Sequence, residues 1–236
     1  MDNENIYQHN KWEFNKEVSD VFDKHVRQSI PMYEEFQKSV IKLSEFFIKN
    51  GDCVYDLGCA TGETTYLLNQ KNDKTCKKNI RFVLIDNSQS MINKARQKCS
   101  QYNNIEYIVD NIENVKFSKT NFVISLFTLQ FLDQESRFNV IKNIYNGLNK
   151  GGALILAEKS YSNNVIINDY FTQMYHDFKE DSDLTSFEIR EKDKSLRSVL
   201  VPLTINENIE MLNESGFNKV DIFMKALNFT GFIAIK

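Results

Sequence analysis

Val54-Tyr55-Asp56-Leu57-Gly58-Cys59-Ala60-Thr61-Gly62 reads as a buried strand that breaks into a glycine-bearing turn and opens a helix. Gly58 and Gly62 are expected to clear side chains from the path of a ligand approaching the backbone, and Asp56 closes the strand with a carboxylate that can accept hydrogen bonds. Alone, such a turn is equally well a tight strand-to-helix connection. Its context is more telling. Arg81-Phe82-Val83-Leu84-Ile85-Asp86-Asn87-Ser88 is a second apolar strand ending in an acid, the arrangement that holds a ribose through its hydroxyls. A nucleotide-like ligand is therefore expected at these two strand ends.

Working outward, Val18, Val21, Phe22, Val26 and then Phe36, Val40, Leu43, Phe47 recur at helical spacing, interrupted at Ile30-Pro31, so two helices precede the first strand. Strands are expected at 53–57, 81–86, 105–109, 122–127, 152–157, 219–223 and 229–235, and helices near 64–71, 90–101, 134–148 and 206–215. This alternation predicts an α/β fold with a seven-stranded, mostly parallel sheet covered by helices on both faces, closed by an antiparallel hairpin at one edge. Gly151-Gly152 marks a helix-to-strand turn. We expect one domain over 1–236, with an N-terminal helical extension (1–50) and a charged, aromatic insertion (160–204) acting as a lid over the ligand mouth.

The chain has 236 residues, 42% of them hydrophobic, with 29 basic against 32 acidic side chains, which suits one sizeable core in a soluble protein and gives no general attraction for nucleic acid. Lys74, Lys77 and Lys78 read as a solvated loop. Cys53, Cys59, Cys76 and Cys99 have neither metal-ligand nor disulfide spacing and fit a reducing cytoplasm, and no apolar run approaches a membrane span.

The paired motifs resemble the cofactor site of class I S-adenosyl-L-methionine (SAM) methyltransferases, with Ala60 where a middle glycine is usual. Over nearly the whole chain the sequence resembles the carboxy-S-adenosyl-L-methionine synthase family. The resemblance rests on Trp12-x-Phe14, Ser29-Ile30-Pro31-x-Tyr33, the two strand motifs, Phe127-Thr128-Leu129-Gln130-Phe131-Leu132, Gly151-Gly152-Ala153-Leu154 leading to Glu158-Lys159, His176-Asp177-Phe178-Lys179 and Asn228-Phe229. It implies a Rossmann-like methyltransferase fold and a cytoplasmic homodimer that makes carboxy-SAM from SAM and prephenate for tRNA modification. It further implies SAM held by Tyr33, Gly58, Cys59, Ala60, Asp86 and Asn87, with Ile112 beside the adenine. Two family ligands are altered. The arginine that holds the product carboxylate, often from a neighbouring subunit, is Asp193 here, and an asparagine is Leu126; the acid before Ile112 is Asn111, with Asp110 adjacent. An aspartate repels a carboxylate that an arginine grips with two donors. Arg190, Lys192, Lys194 and Arg197 are near enough in sequence to replace it, with Arg190 and Arg197 the favoured substrate ligands.

For catalysis, Tyr33 could place a hydroxyl near the sulfonium, Tyr175 an aromatic face, and His176 a base. The plain alternative for Tyr170-Phe171-x-x-Met174-Tyr175-His176 is an amphipathic helix packed on the domain. Glu158 could bind substrate or pair with Lys159. Three reactions stay open: carboxy-SAM formation; methyl transfer to a small acceptor; and displacement within SAM, releasing methylthioadenosine and a small cyclic amino acid. A non-catalytic SAM-binding subunit is the remaining class.

Overall fold

The computed structural model describes residues 14–75, 77 and 79–236; Trp12, His9, Cys76 and Lys78 lie outside the described residues. The first two helices form where the periodicity placed them. Asn15 caps α1 (Lys16–Ser29) by accepting the Val18 N–H, and Met32, in the left-handed region, turns the chain into α2 (Tyr33–Phe47). There follow β1 (Cys53–Leu57), α3 (Glu63–Thr75), β2 (Arg81–Asp86), α4 (Gln89–Lys98), β3 (Ile105–Val109), β4 (Thr120–Leu126), α5 (Gln134–Gly147) and β5 (Leu148–Tyr161). The insertion supplies α6 (Val165–Asp181) and α7 (Ser186–Ser195), and the chain ends with β6 (Leu203–Thr204), α8 (Ile205–Glu214), β7 (Lys219–Ala226) and β8 (Phe229–Ile235).

The sheet runs β3-β2-β1-β4-β5-β8-β7, with β6 pairing off this path with the end of β5. β1, β2, β3, β4 and β5 are parallel, and β8 runs antiparallel between β5 and the edge strand β7. Alternation along the strands divides the core. Cys53, Tyr55 and Leu57 pack with Leu154, Leu156 and helix α5, while Val54 joins Phe82, Leu84, Ile92 and Ile155 on the opposite face. Because the parallel strands all end at one edge, Asp56, Asp86, Leu126 and Glu158 come to one end of the sheet.

Four expectations need correction. β4 stops at Leu126, because Phe127 swings to φ 59° and lets Thr128 Oγ1 sit 3.1 Å from the carbonyls of both Leu57 and Leu126. β5 is far longer than expected: the register jumps from Thr120↔Leu148 to Phe122↔Ala153, so Gly151-Gly152 lie in a bulge within the strand instead of preceding it. The two-residue β6 gives the sheet an eighth strand, too short to leave a pattern. Gly62 does not clear the way for a ligand. Its φ is 76°, and an added Cβ would meet Ala95 Cβ at 3.0 Å, so its role is to seat the turn against α4. Replacing Gly62 with Ala is therefore expected to cost about 2 kcal/mol from left-handed strain and overpacking. Thermal melts should fall by about 4–8 °C, with the affinity for S-adenosylhomocysteine retained.

Candidate functional site

A cavity of about 1040 Å³ opens where β1, β2, β4 and β5 end, roofed by α1, α6 and α7. Its sheet side is acidic. Asp56 accepts a hydrogen bond from Thr65 Oγ1 at 2.7 Å, and burial, with help from the negative Asp86, lifts its carboxyl to about 6 despite that bond. Asp86 is clamped by two backbone donors, Ala60 N at 3.0 Å to Oδ2 and Ser88 N at 2.9 Å to Oδ1. Each oxygen keeps a further lone pair for a ligand hydroxyl. Burial pushes Asp86 up as well, against those two bonds. Ala60 reaches its position with φ 48°, the left-handed conformation a glycine would usually supply. Gly58 lines the cavity at φ 65°, but the space a Cβ would take there is filled by the Thr128 side chain, so the missing side chain makes room for Thr128 and not, as expected, for a ligand. Cys59 is buried, which raises its thiol far above the ordinary value.

Asn87 Nδ2 donates to Asn111 Oδ1 at 3.1 Å, and Ile112 lies buried beside them in a short 3-10 turn. Asp110 is turned to that segment's backbone and to Asn114, accepting Asn111 N and Asn114 Nδ2 at 2.7 Å each. Asp56, Gly58, Cys59, Ala60, Asp86, Asn87, Asn111 and Ile112 thus share one wall, whereas Gly62 is absent from the lining.

The insertion side is cationic. Lys159 at the end of β5, Lys179 on α6 and Lys192 on α7 converge with Asp193, Tyr175, His176 and, from α1, His25. Asp193 spans Lys179 Nζ and His176 Nε2, both at 3.2 Å. Lys192 Nζ lies 2.6 Å from His25 Nε2 and donates to Ser29 Oγ at 2.8 Å. Burial and the neighbouring ammonium groups hold Lys192 down to about 7 and Lys159 to about 8, and hold His25 neutral, at about 3. When Lys192 is protonated, the neutral His25 imidazole accepts from it in the tautomer that carries its hydrogen on Nδ1.

Tyr33 reaches the cavity from α2, its ring against Phe127 at 6.0 Å and its hydroxyl 3.4 Å from Gln37 Nε2; burial raises its phenol. Tyr175 is buried, and its ring already has Lys179 Nζ at 4.2 Å and Lys159 Nζ at 4.9 Å. That corrects the expectation that it offers a face to a sulfonium. His176 lines the cavity but is engaged by Asp193, so a role as base would require breaking that contact.

Arg190 is exposed and outside this chain's cavity lining, whereas Arg197 is exposed and lines the cavity. Lys194 pairs with Glu191 on the surface. Glu158 is internal. Its oxygens accept Leu129 N at 3.0 Å and Gln130 N at 2.8 Å, and burial lifts it to about 8. Sequence reasoning gave Lys179 and His25 no role and Lys159 only a pairing with Glu158, whose oxygens accept backbone N–H groups instead. The available signal was the four-residue spacing of Tyr175 and Lys179, which puts both on the same face of α6.

The methyltransferase domain family matches residues 54–152. Along 96% of its length the chain is 38% identical to a carboxy-S-adenosyl-L-methionine synthase of Staphylococcus epidermidis, covering 97% of that protein, and it is 34% identical to the Methylococcus capsulatus protein of that name, covering 94% of this chain and 93% of that one. Among solved structures, a putative O-methyltransferase of Nostoc punctiforme superposes with a TM-score of 0.65 at 14% identity, over 93% of this chain and 59% of that one. Human N-acetylserotonin methyltransferase, solved with SAM, gives 0.59 at 13% identity, over 91% and 55%. The structural likenesses bear on the fold.

Replacing Asp86 with Ala removes charge-assisted acceptors worth about 1.5–3 kcal/mol. Calorimetry should show S-adenosylhomocysteine binding roughly tenfold to a hundredfold more weakly; an unchanged constant would place the ribose elsewhere.

Proposed function

The chain belongs to the carboxy-S-adenosyl-L-methionine synthase family of SAM-dependent enzymes, and from that membership we propose that it joins the carboxyl group of a small carboxylate-bearing cosubstrate to the methyl carbon of SAM: a methyl C–H bond and the cosubstrate's bond to that carboxyl break, the pair released in the cosubstrate expels hydroxide, and the methyl proton leaves with it as water. The residues fit SAM: a clamped acid for the ribose in Asp86, amides and an apolar wall at Asn87, Asn111 and Ile112, and a backbone turn at Gly58 and Ala60 that lines the cavity. SAM supplies a methyl group activated by its sulfonium. Tyr33 and Phe127 close the site over the strand ends and exclude water, and Lys159 and Lys192 hold the cosubstrate carboxylates, turning them toward the sheet side.

The observation that carries this reading is the cationic end of the cavity. Three lysines are brought out of water around a single aspartate, at a desolvation cost that an anionic ligand offsets. Displacement within SAM needs no second anion site, and a neutral methyl acceptor would gain nothing from one. The cavity volume also exceeds what one nucleoside-sized ligand fills. Incubating the protein with SAM, with and without prephenate, and identifying products by mass spectrometry tests the reading. Prephenate-dependent carboxy-SAM supports it; methylthioadenosine released without cosubstrate replaces it with the cyclisation, and S-adenosylhomocysteine formed with a neutral acceptor replaces it with methyl transfer.

Lys159→Met should weaken cosubstrate binding by roughly tenfold to a hundredfold, the equivalent of one charge-assisted contact. Since Lys192 and Lys159 lose their protons near 7 and 8, cosubstrate affinity should fall as pH rises through that window. Stability of the free protein runs the opposite way. Above about 8, where Glu158 has also ionised, and up to the ordinary lysine value of 10.5, the unfolded chain holds more lysine protons than the folded one, so unfolding free energy should rise with pH there.

The reading extends to a homodimer. Ile166, Tyr170 and Met174 form an exposed apolar stripe one turn apart on α6, which suits a second copy of this chain. Light scattering should give twice the chain mass, and Tyr170→Glu should halve it; a monomeric unmodified protein would remove the dimer.

A further inference from the structure

Gln130 is buried, lines the cavity, and spends every polar group it has on a different part of the wall. Its N–H donates to Glu158 Oε2 at 2.8 Å, and its carbonyl accepts Val201 N at 2.8 Å from the end of the insertion. Its side-chain Oε1 accepts the Lys159 N–H at 2.7 Å, and Nε2 donates to the Phe127 carbonyl at 3.2 Å. Arg137 reinforces the same junction, donating to Leu129 O, Leu132 O and Val201 O at 3.0, 3.1 and 2.7 Å.

We propose that Gln130 is a positioning residue that fixes the distance between the cofactor wall at Phe127 and the cation of Lys159, and with it the alignment of the two substrates. This rests on the proposed role of Lys159. The geometry is selective. Lys159 follows Glu158 at the point where β5 leaves the main sheet to pair with β6 through Ser160 and Tyr161, so its backbone is the hinge between sheet and insertion. A side chain bridging that backbone to the left-handed turn at Phe127 holds the hinge from the cavity side. Group transfer depends on such registration, since a misplacement of about 1 Å can cost about a hundredfold in rate.

The test uses the full chain with 13C-labelled lysine and three variants, Gln130→Met, Gln130→Glu and Lys159→Met. Gln130→Met keeps the shape and removes both side-chain bonds; Gln130→Glu keeps the acceptor for Lys159 N. In Gln130→Met, S-adenosylhomocysteine binding should stay within about twofold, while prephenate binding to the loaded protein weakens about tenfold. The Lys159 resonance should titrate higher than about 8, closer to the ordinary lysine value, as the ammonium group relaxes from Tyr175, Lys179, Lys192 and Asp193 toward solvent. Gln130→Glu should recover most of both effects. A Lys159 midpoint and prephenate affinity unchanged in Gln130→Met would overturn the proposal, as would a parallel loss of S-adenosylhomocysteine affinity, which would assign Gln130 to the general integrity of the wall. If Lys159→Met leaves prephenate binding untouched, the functional reading fails instead, and the Lys159 titration still judges Gln130.

Discussion

Desolvation of charge is the constraint on which the rest of this structure depends. One cavity carries carboxylates at the strand ends and ammonium groups beneath the insertion, and each group is tolerable out of water only because its immediate partners are fixed. Asp86 is fixed by two backbone N–H groups, Asp56 by Thr65, Asp193 by Lys179 and His176, and Lys192 by His25 and Ser29. The segregation matters chemically. A sulfonium sits more easily near the acidic wall, and on the function proposed above an organic acid would sit near the basic one, so the field would order the two ligands before any shape complementarity acts.

The N-terminal helices tie the two charge systems together. α1 carries Asp23, which accepts from Lys98 Nζ and Thr61 Oγ1 at 2.5 Å each, and Lys98 also meets Glu63 at 2.6 Å. Those contacts bind α1 to the turn and helices that frame the cofactor wall. Within the next two turns of helix the chain reaches His25, Gln28 and Ser29, and there α1 meets the insertion through Lys192 and through the Ser182 carbonyl, an acceptor for Gln28 Nε2 at 2.6 Å. A shift of α1 therefore disturbs both ends of the cavity at once.

The sheet was legible because its signals are local. Apolar runs ending in Asp56 and Asp86, and helical periodicity on either side of Ile30-Pro31, follow from side-chain direction in a single element. The sheet-side wall was legible for the same reason, since parallel strands deliver their carboxyl ends to one edge. What escaped was the meeting of distant segments. Lys192 and His25 are 167 positions apart, and Lys159, Lys179 and Lys192 sit on three different elements, each looking like an ordinary surface lysine along the chain. Gly62 escaped because left-handed backbone is demanded alike by a ligand and by a neighbouring helix, and only the position of Ala95 separates the two.

Asp193 shows how a negative charge is absorbed among lysines. Taken along the sequence, an aspartate in place of a carboxylate-binding arginine implies repulsion. In the cavity its two oxygens are spent on Lys179 and His176, so the field it presents to a ligand is reduced by the charge it neutralises. Lys159 and Lys192 stand on β5 and α7, each positioned by contacts independent of Asp193: Lys159 by Gln130 and the Tyr175 ring, Lys192 by His25 and Ser29. The sign of the compartment is therefore set by the lysines. They are two separate point charges without the planar two-pronged donor of a guanidinium, and Leu126 makes part of the facing wall apolar. Ammonium groups hold an anion with less directional control than a guanidinium, so alignment of the carboxylate must come from the backbone that carries the lysines, which places the burden of precision on the junction of β5 with the turn after β4.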